Sequence, residues 1–221
     1  PSIHNTAAKI LGLDFAYHAF DVLPENLEAA LSGMRALNIR GFNLSLPHKR
    51  RVLPFLDELS LEVKYTGAAN TIVNRNGLLK GFNTDITGFS KALELYSDLF
   101  TGQPALVLGA GGSASAVIYS LIVDFKIKDI FITNRTLQNA SQLVLNYLSL
   151  FKDVKFRVIP FDDKHMKEAI NNSGIIINTT SIGMHPDVNE IVDIPLEVLN
   201  RETVVFDLIY NPAKTKFLEV A

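Results

Sequence analysis

Apolar residues recur along this chain with a spacing that changes from block to block, and each spacing predicts an element. Over residues 2–13, Ile3, Ala7, Ile10 and Leu11 keep a 3.6-residue period closed by Gly12, which predicts a helix. "FAYHAFDV" predicts a strand over 15–22. "LPENLEAALSGMRAL" predicts an amphipathic helix with Pro24 and Glu25 in its first turn. "IRGFNLSL" predicts a short, largely apolar strand of the kind found in a parallel sheet covered on both faces. "PHKRRVLPFLDELS" predicts a helix opening at Pro47. In "NTIVNRNGLLKGFNTD", Asn76-Gly77 between two apolar runs predicts a two-residue type I′ hairpin. That register sets Asn70 opposite Asn83, puts Asn83 and Asp85 on one face, and gathers all three at the open end of the hairpin.

Further along, "ITGFSKALELYSDLF" predicts a helix, and "PALVLGAGGSASAVIYSLIVDF" an apolar strand, a glycine turn and a helix. A second such unit follows in "DIFITNRT" and "LQNASQLVLNYL", and short strands recur at "KFRVIPF", "GIIINTTS" and "TVVFDLIY". Strands alternating with helices place the chain in the α/β class with parallel sheets. Two sets are expected, 1–86 and 87–221, joined by the helix near 86–98.

Composition narrows the function. A formal net charge of −2 over 221 residues speaks against a nucleic-acid surface. The absence of cysteine excludes disulfides, thiolate ligands and a cysteine nucleophile. No apolar run approaches the roughly 20 residues of a membrane span, and no signal peptide opens the chain, so a cytoplasmic setting is expected. His4 and His18 lack metal-ligand spacing with any acid, and neither HExxH nor GxSxG occurs, so no metal site is expected. Both ends read as cut: the chain opens at Pro1, and "AKTKFLEVA" reads as a helix just begun.

"VLGAGGSASA" follows a strand and opens a helix, where free N–H groups and the positive dipole end suit a phosphate. Gly109 and Gly111 permit a tight turn and a close backbone approach, and Gly112 adds another position without a Cβ. The pattern is GxGG rather than strict GxGxxG, so dinucleotide binding stands beside a turn that merely packs. The next strand ends in Asn134, Arg135 and Thr136, where an NAD site usually carries an acid. A permanently charged, forked guanidinium suits a 2′-phosphate, which points to NADP; a solvated turn arginine is the alternative.

"GFNLSLPHK" runs off the end of a predicted strand, the edge where open α/β sheets bind ligands. Asn43 and Ser45 point the same way and can both donate and accept, which suits hydroxyl groups. Lys49 could bring a cation to the same mouth, with Asp85 as its partner in proton transfer. Each has a plainer reading: Lys49 as a solvated helix charge, Asp85 as a helix N-cap, Asn70 as a turn residue, His48 as a surface histidine.

The chain resembles the shikimate dehydrogenase family through "SIHN", "GFNLSLPHK", "GAANTIV", "GFNTDITGF", "GAGGSASA", "NRT", "NTTSIGM" and "DLIYNPAKT", in the family's order. The resemblance implies a substrate domain followed by a Rossmann-type doubly wound dinucleotide domain. It implies NADPH-dependent reversible reduction of 3-dehydroshikimate to shikimate, in the biosynthesis of chorismate and aromatic amino acids. Lys49 and Asp85 match the catalytic pair; Asn43, Ser45, Asn70 and Tyr210 match substrate-binding positions, Ser45 where the family usually has threonine. Gly109, Ala110, Gly111, Gly112 and Ser113 match the pyrophosphate turn, Asn134, Arg135 and Thr136 the 2′-phosphate site, and Leu208 the backbone beside the nicotinamide. The family's first strand, its Ser-x-Ser pair and its C-terminal helices have no counterpart, and Ser115 and Asn139 stand where relatives often carry a cation. A monomer or homodimer acting on a small molecule is expected. An NAD-using quinate/shikimate dehydrogenase and a non-catalytic nucleotide-binding regulator are the alternatives.

Overall fold

The computed structural model describes residues 1–45 and 47–221. Helix α1 (Ser2–Ile10) ends before Gly12, whose φ of +64° only glycine adopts without strain. Residues 15–22 are not a strand: none of the described strands pairs with them, and side chains tie them down instead. Asn5 meets the main-chain N–H and C=O of Tyr17 at 2.7 and 2.9 Å, and His48 Nε2 meets Val22 O at 2.8 Å. An alternating pattern without a ladder partner leaves the backbone groups to side chains and water.

A 3-10 turn over Pro24–Asn26 leads into α2 (Leu27–Ala36), which buries Leu27 and Leu31. Strand β1 (Gly41–Asn43) follows; Leu46, the end of the strand expected here, lies outside the described residues. The single helix expected from Pro47 breaks into α3 (His48–Arg51), a 3-10 turn over Leu53–Phe55 and β2 (Glu58–Leu59). Pro54 has no N–H to continue a helix, and Asp57 N reaches across to Leu79 O at 3.0 Å. Helix α4 (Leu61–Thr66) stops at Gly67, φ +61°. Strands β3 (Thr71–Arg75) and β4 (Leu78–Phe82) form the expected hairpin, with Asn76 at φ +54° and Gly77 at +87°, positive at both central residues as a type I′ turn requires.

The first sheet has the order β1-β3-β4-β2 and is mixed, not parallel. β1 runs antiparallel to β3, as β4 does, and only β2 with β4 is parallel. Apolar content alone does not encode strand direction, and β1 is exposed at Gly41 and Asn43, unlike a strand covered on both faces. Its core gathers Leu27, Leu31, Val52, Val63, Ile72 and Leu79.

Helix α5 (Thr84–Leu93) continues in 3-10 turns to Leu99 and leads to the second sheet. Strands β5 (Ala105–Leu108), β6 (Asp129–Thr133), β7 (Lys155–Val158), β8 (Ile175–Asn178) and β9 (Val204–Asp207) are all parallel, in the order β7-β6-β5-β8-β9. Every residue of β5 and β8 is buried, because helices cover both faces. α6 (Gly112–Val123) and α7 (Leu137–Leu148) follow β5 and β6. α8 (Asp163–Asn172) has no counterpart among the expected elements; Asp162 caps it by accepting from His165 N at 3.0 Å, and it buries Met166, Ala169 and Ile170. α9 (Lys216–Val220) closes the described chain. Strand order reverses between β5 and β8, the switch point where such sheets bind ligands. The two sheets meet through helices, with α4 and α5 packed on α6. Among the described residues no helix is long and apolar enough to cross a membrane.

One carboxylate fastens the first sheet. Asp57 accepts from Leu79 N at 2.7 Å and from the Arg35 guanidinium at 2.8 Å, and Arg35 also reaches Gly77 O and Phe55 O. The Leu79 N–H, followed by Arg35, holds the Asp57 carboxyl below its ordinary value of 3.8. A carboxyl depressed on folding adds stability above its unfolded value, and that stability is lost as pH falls through the folded value. Asp57→Asn is therefore expected to be less stable than the parent protein at pH 7, with the gap closing on acidification below about pH 4; chemical denaturation across pH measures it, and a gap that stays constant or widens in acid contradicts it.

Candidate active site

The hairpin brings chemistry together because its open end is where α5 begins. Asn83 N-caps α5 through Asp85 N at 3.2 Å, so the cap is Asn83 and not Asp85. The turn into helix separates Asn83 from Asp85, which a continued strand would have left on one face. Asn83, only 3% exposed, points inward and donates to Thr66 Oγ1 at 3.3 Å and to Ala68 O at 3.1 Å. Asp85, in the first helical turn, faces Lys49 and Asn70.

Lys49 Nζ donates to Asp85 Oδ2 at 2.7 Å, and Asn70 Nδ2 donates to Asp85 Oδ1, also at 2.7 Å. Asn70 Oδ1 accepts from Thr84 N at 2.9 Å and from the Thr71 and Thr84 hydroxyls at 2.9 and 3.2 Å. A main-chain N–H can only donate, so the amide orientation is forced, with its NH₂ on Asp85. The side chains of Lys49 and Asp85 stay 17% and 30% exposed. An ammonium with three donors and a carboxylate with several lone pairs keep capacity for a ligand after pairing with each other.

Asn43 joins this group, donating to Thr71 Oγ1 at 2.9 Å, and Tyr17 OH donates to Asn43 Oδ1 at 2.9 Å. Main-chain bonds pin the segments: Ala69 N to Lys49 O and Leu44 N to Asn70 O, both 2.8 Å. Ser45 is exposed at the start of the turn into α3, its carbonyl accepting from His48 N at 2.9 Å. His48 is buried rather than a surface residue, because its ring closes over Val22. The sequence reading missed Tyr17, Thr71 and Thr84; the "NT" pair recurring at both ends of the hairpin, 70–71 and 83–84, was the available signal for the threonines.

The glycine turn lies at the switch point. Gly109 sits at φ +111°, and a Cβ there would come within 2.5 Å of Thr179 Oγ1 and 3.1 Å of Thr180 Cγ2. Nothing would meet a Cβ on Gly111, the N-cap of α6, and beyond it the first N–H groups of the helix have no intrahelical partner. Gly112 approaches the first unit: its Cβ would lie 3.8 Å from that of Ala68, two residues before Asn70. Ala110 is buried, and Ser113 is half-buried in the first turn of α6. Asn134 ties to Thr136 O at 2.9 Å, and Arg135 is exposed and forms no ion pair with any described residue. Thr136 holds the N-cap position of α7, exposed and without a side-chain cap bond. These features fit a dinucleotide: a tight turn with no room for a Cβ at Gly109 and open space at Gly111, unpaired helix-start N–H groups and an uncommitted cation.

Leu208 N donates to Asn178 O at 3.1 Å at the end of β9. Tyr210 is 90% exposed, and no hydrogen bond joins it to the Lys49 group among the described residues. Ser115 is fully buried between α4 and α7, so its side chain does not face the nucleotide edge where a cation was expected to be missing. Among the described residues no group of His, Cys, Asp and Glu could hold a metal ion.

Gly109→Ala is expected to destabilise the fold by on the order of 1–3 kcal/mol through the left-handed strain at this residue, before any clash with Thr179, and to weaken dinucleotide binding; thermal melts and a nucleotide titration measure both, and an alanine variant as stable as the parent contradicts the geometry.

Comparison with known proteins identifies the family. Residues 1–72 match the family model for the shikimate dehydrogenase substrate binding domain, and residues 91–210 that for shikimate / quinate 5-dehydrogenase. The NADP(+) shikimate dehydrogenase of Caldanaerobacter subterraneus subsp. tengcongensis is 42% identical over 221 residues, covering 100% of this chain and 77% of the relative. The crystal structure of shikimate 5-dehydrogenase from Listeria monocytogenes with shikimate and NAD superposes with a TM-score of 0.89 at 36% identity, covering 100% of this chain and 77% of that one. The Thermus thermophilus enzyme with NADP(H) and shikimate gives 0.83 at 33% identity, with the same two coverages of 100% and 77%. With these matches running the length of the chain and through both sheets, the chain belongs to the shikimate dehydrogenase family.

Proposed function

We propose that the chain is an NADP-dependent shikimate dehydrogenase that interconverts 3-dehydroshikimate and shikimate, a step toward aromatic amino acids. The observation that carries this is the Lys49 ammonium held 2.7 Å from Asp85, with Asn70 on the other carboxylate oxygen. A pure nucleotide-binding regulator needs no such proton donor beside its nucleotide turn.

Residues 1–86 hold the substrate and 87–221 the cofactor, a division that the two family models support. The N–H groups opening α6 and the bare backbone at Gly109 to Ser113 would receive the pyrophosphate, Asn134, Arg135 and Thr136 the 2′-phosphate, and the Leu208 backbone the nicotinamide end. When bound, NADPH supplies the hydride for the ring carbonyl carbon. Lys49 gives a proton to the oxygen of that carbonyl as charge builds on it, and takes it back in the reverse direction. Asp85 holds Lys49 in place, and its remaining lone pairs accept from a neighbouring ring hydroxyl. Asn43, Ser45, Asn70 and Tyr210 orient the ring, and such positioning lowers the barrier by several kcal/mol. The absence of cysteine suits work in the reducing cytoplasm, on a small-molecule substrate, as a monomer or homodimer.

Lys49→Ala is expected to lower kcat by roughly 10²–10⁴, the scale of a lost general acid–base group, with cofactor affinity unaltered; steady-state kinetics with shikimate and NADP⁺ measure this, and normal turnover without the amine overturns the proposal. A second reading, an NAD-using quinate/shikimate dehydrogenase, draws on the exposed, uncharged Asn139 beside the cofactor segment. Arg135→Ala separates the two. On the first reading it raises KM for NADP⁺ by about tenfold or more, the worth of a charge-assisted hydrogen bond, and leaves NAD⁺ kinetics nearly unaltered. Equal, small effects on both cofactors support the second.

A further inference from the structure

A buried polar chain that the proposed reaction does not use crosses between the two sheets. Ser115 and Tyr147 have no exposed surface, and Thr66 has 1%. Ser115 Oγ donates to Thr66 O at 2.7 Å, Tyr147 OH donates to Ser115 O at 2.6 Å, and the two hydroxyls lie 2.9 Å apart. Three short contacts share two hydroxyl protons, so the orientation of each hydroxyl depends on the other. Burial pushes the Tyr147 phenol well above its ordinary value, so it stays a donor.

The two ends of this chain matter. Ser115 stands in the first turn of α6, its N–H on Gly111 O at 3.2 Å, so it moves with the glycine turn. Tyr147 lies on α7, the helix that Thr136 opens directly after Arg135. On the other side, Thr66 Oγ1 accepts from Asn83 Nδ2 at 3.3 Å, and Asn83 Oδ1 accepts from Asp85 N at 3.2 Å. Ala68, the other acceptor for Asn83, is the residue that Gly112 approaches. Nucleotide turn, Ser115, Thr66, Asn83 and Asp85 are thus linked residue by residue, through the carbonyl of Thr66 on one side, its hydroxyl on the other and the part-buried Asn83–Asp85 bond, and buried members of such a path are costly to leave unpaired.

We propose that Ser115 and Tyr147 are positioning residues that couple the glycine turn to Asp85, so that a dinucleotide seated on the turn tightens the shikimate site. The proposal rests on the reading above that the turn takes the dinucleotide and Asp85 the substrate. Neither residue touches substrate or reacting atoms; they act through the Asn83 cap behind Asp85. Coupling of this kind is a free energy shared by two sites, and it must be reciprocal.

The test uses NADPH with shikimate, a pair that binds without reacting. Calorimetric titration of shikimate with and without saturating NADPH is expected to show tightening of about fivefold or more in the parent protein, the lower end of typical coupling. In Ser115→Ala and in Tyr147→Phe, which remove only a hydroxyl, the ratio is expected to fall toward one while shikimate affinity without NADPH stays near the parent value. Hydrogen exchange at the Asp85 amide is expected to slow on NADPH addition in the parent and not in Ser115→Ala. Variants that keep the parent ratio overturn the coupling, as does a parent ratio at or below one. A matched loss of affinity for both ligands with a lowered melting temperature also overturns it, since it marks a merely structural role. Turnover of the parent with shikimate and NADP⁺ is read separately: an active parent without coupling sinks this inference alone, whereas a parent that binds no shikimate sinks the functional reading as well.

Discussion

Asp85 receives the Lys49 ammonium on one carboxylate oxygen and the Asn70 amide on the other, and most of the first sheet can be understood as what holds those three groups in place. A charge pair that is mostly shielded from water keeps its geometry only when the remaining polar atoms around it are satisfied. Asn70 meets that condition by spending its whole acceptor side on Thr71 and Thr84, which leaves its NH₂ no orientation except toward Asp85. The hairpin turn at Asn76-Gly77 fixes the β3/β4 register that makes those contacts possible, and Asn83 starts the helix that presents Asp85.

The second sheet brings a different physical resource, the unpaired N–H groups of a helix start beside backbone without side chains. Gly109 is held in a conformation closed to other residues and is walled by Thr179, while Gly112 lies against Ala68. Two chemically distinct surfaces thus come within a few residues of each other: one suited to a phosphate, the other to a hydroxylated ring and a proton transfer. The buried Ser115 Oγ contact with Thr66 O adds a reason for the two units to keep a defined relation.

Where a residue's own conformational limits decide the outcome, the structure was legible in the sequence. Asn-Gly demanded the hairpin, GxGG after an apolar strand demanded the turn, and the all-buried β5 and β8 followed from uninterrupted apolar runs. Lys49 and Asp85 could be paired on paper because chemistry and strand register pointed to the same place. Direction and partnership were not legible. β1 turned out antiparallel, since a short apolar segment carries no direction; residues 15–22 found side chains rather than a strand; Pro54 broke a helix whose apolar spacing continued through it. Tyr17 reaches Asn43 across 26 positions, and Ser115 turns from the nucleotide edge into the core. Such contacts depend on packing between elements, which periodicity does not encode.

In the mechanism proposed above, Lys49 and Asp85 act as one unit. A double-mutant cycle on kcat with Lys49→Met and Asp85→Asn measures this directly. Strong non-additivity is predicted, with the double variant about as slow as Lys49→Met alone, as for residues in contact that share one task. If Asp85→Asn slows turnover by the same factor whether or not the Lys49 amine is present, the two groups act independently and the paired mechanism is wrong.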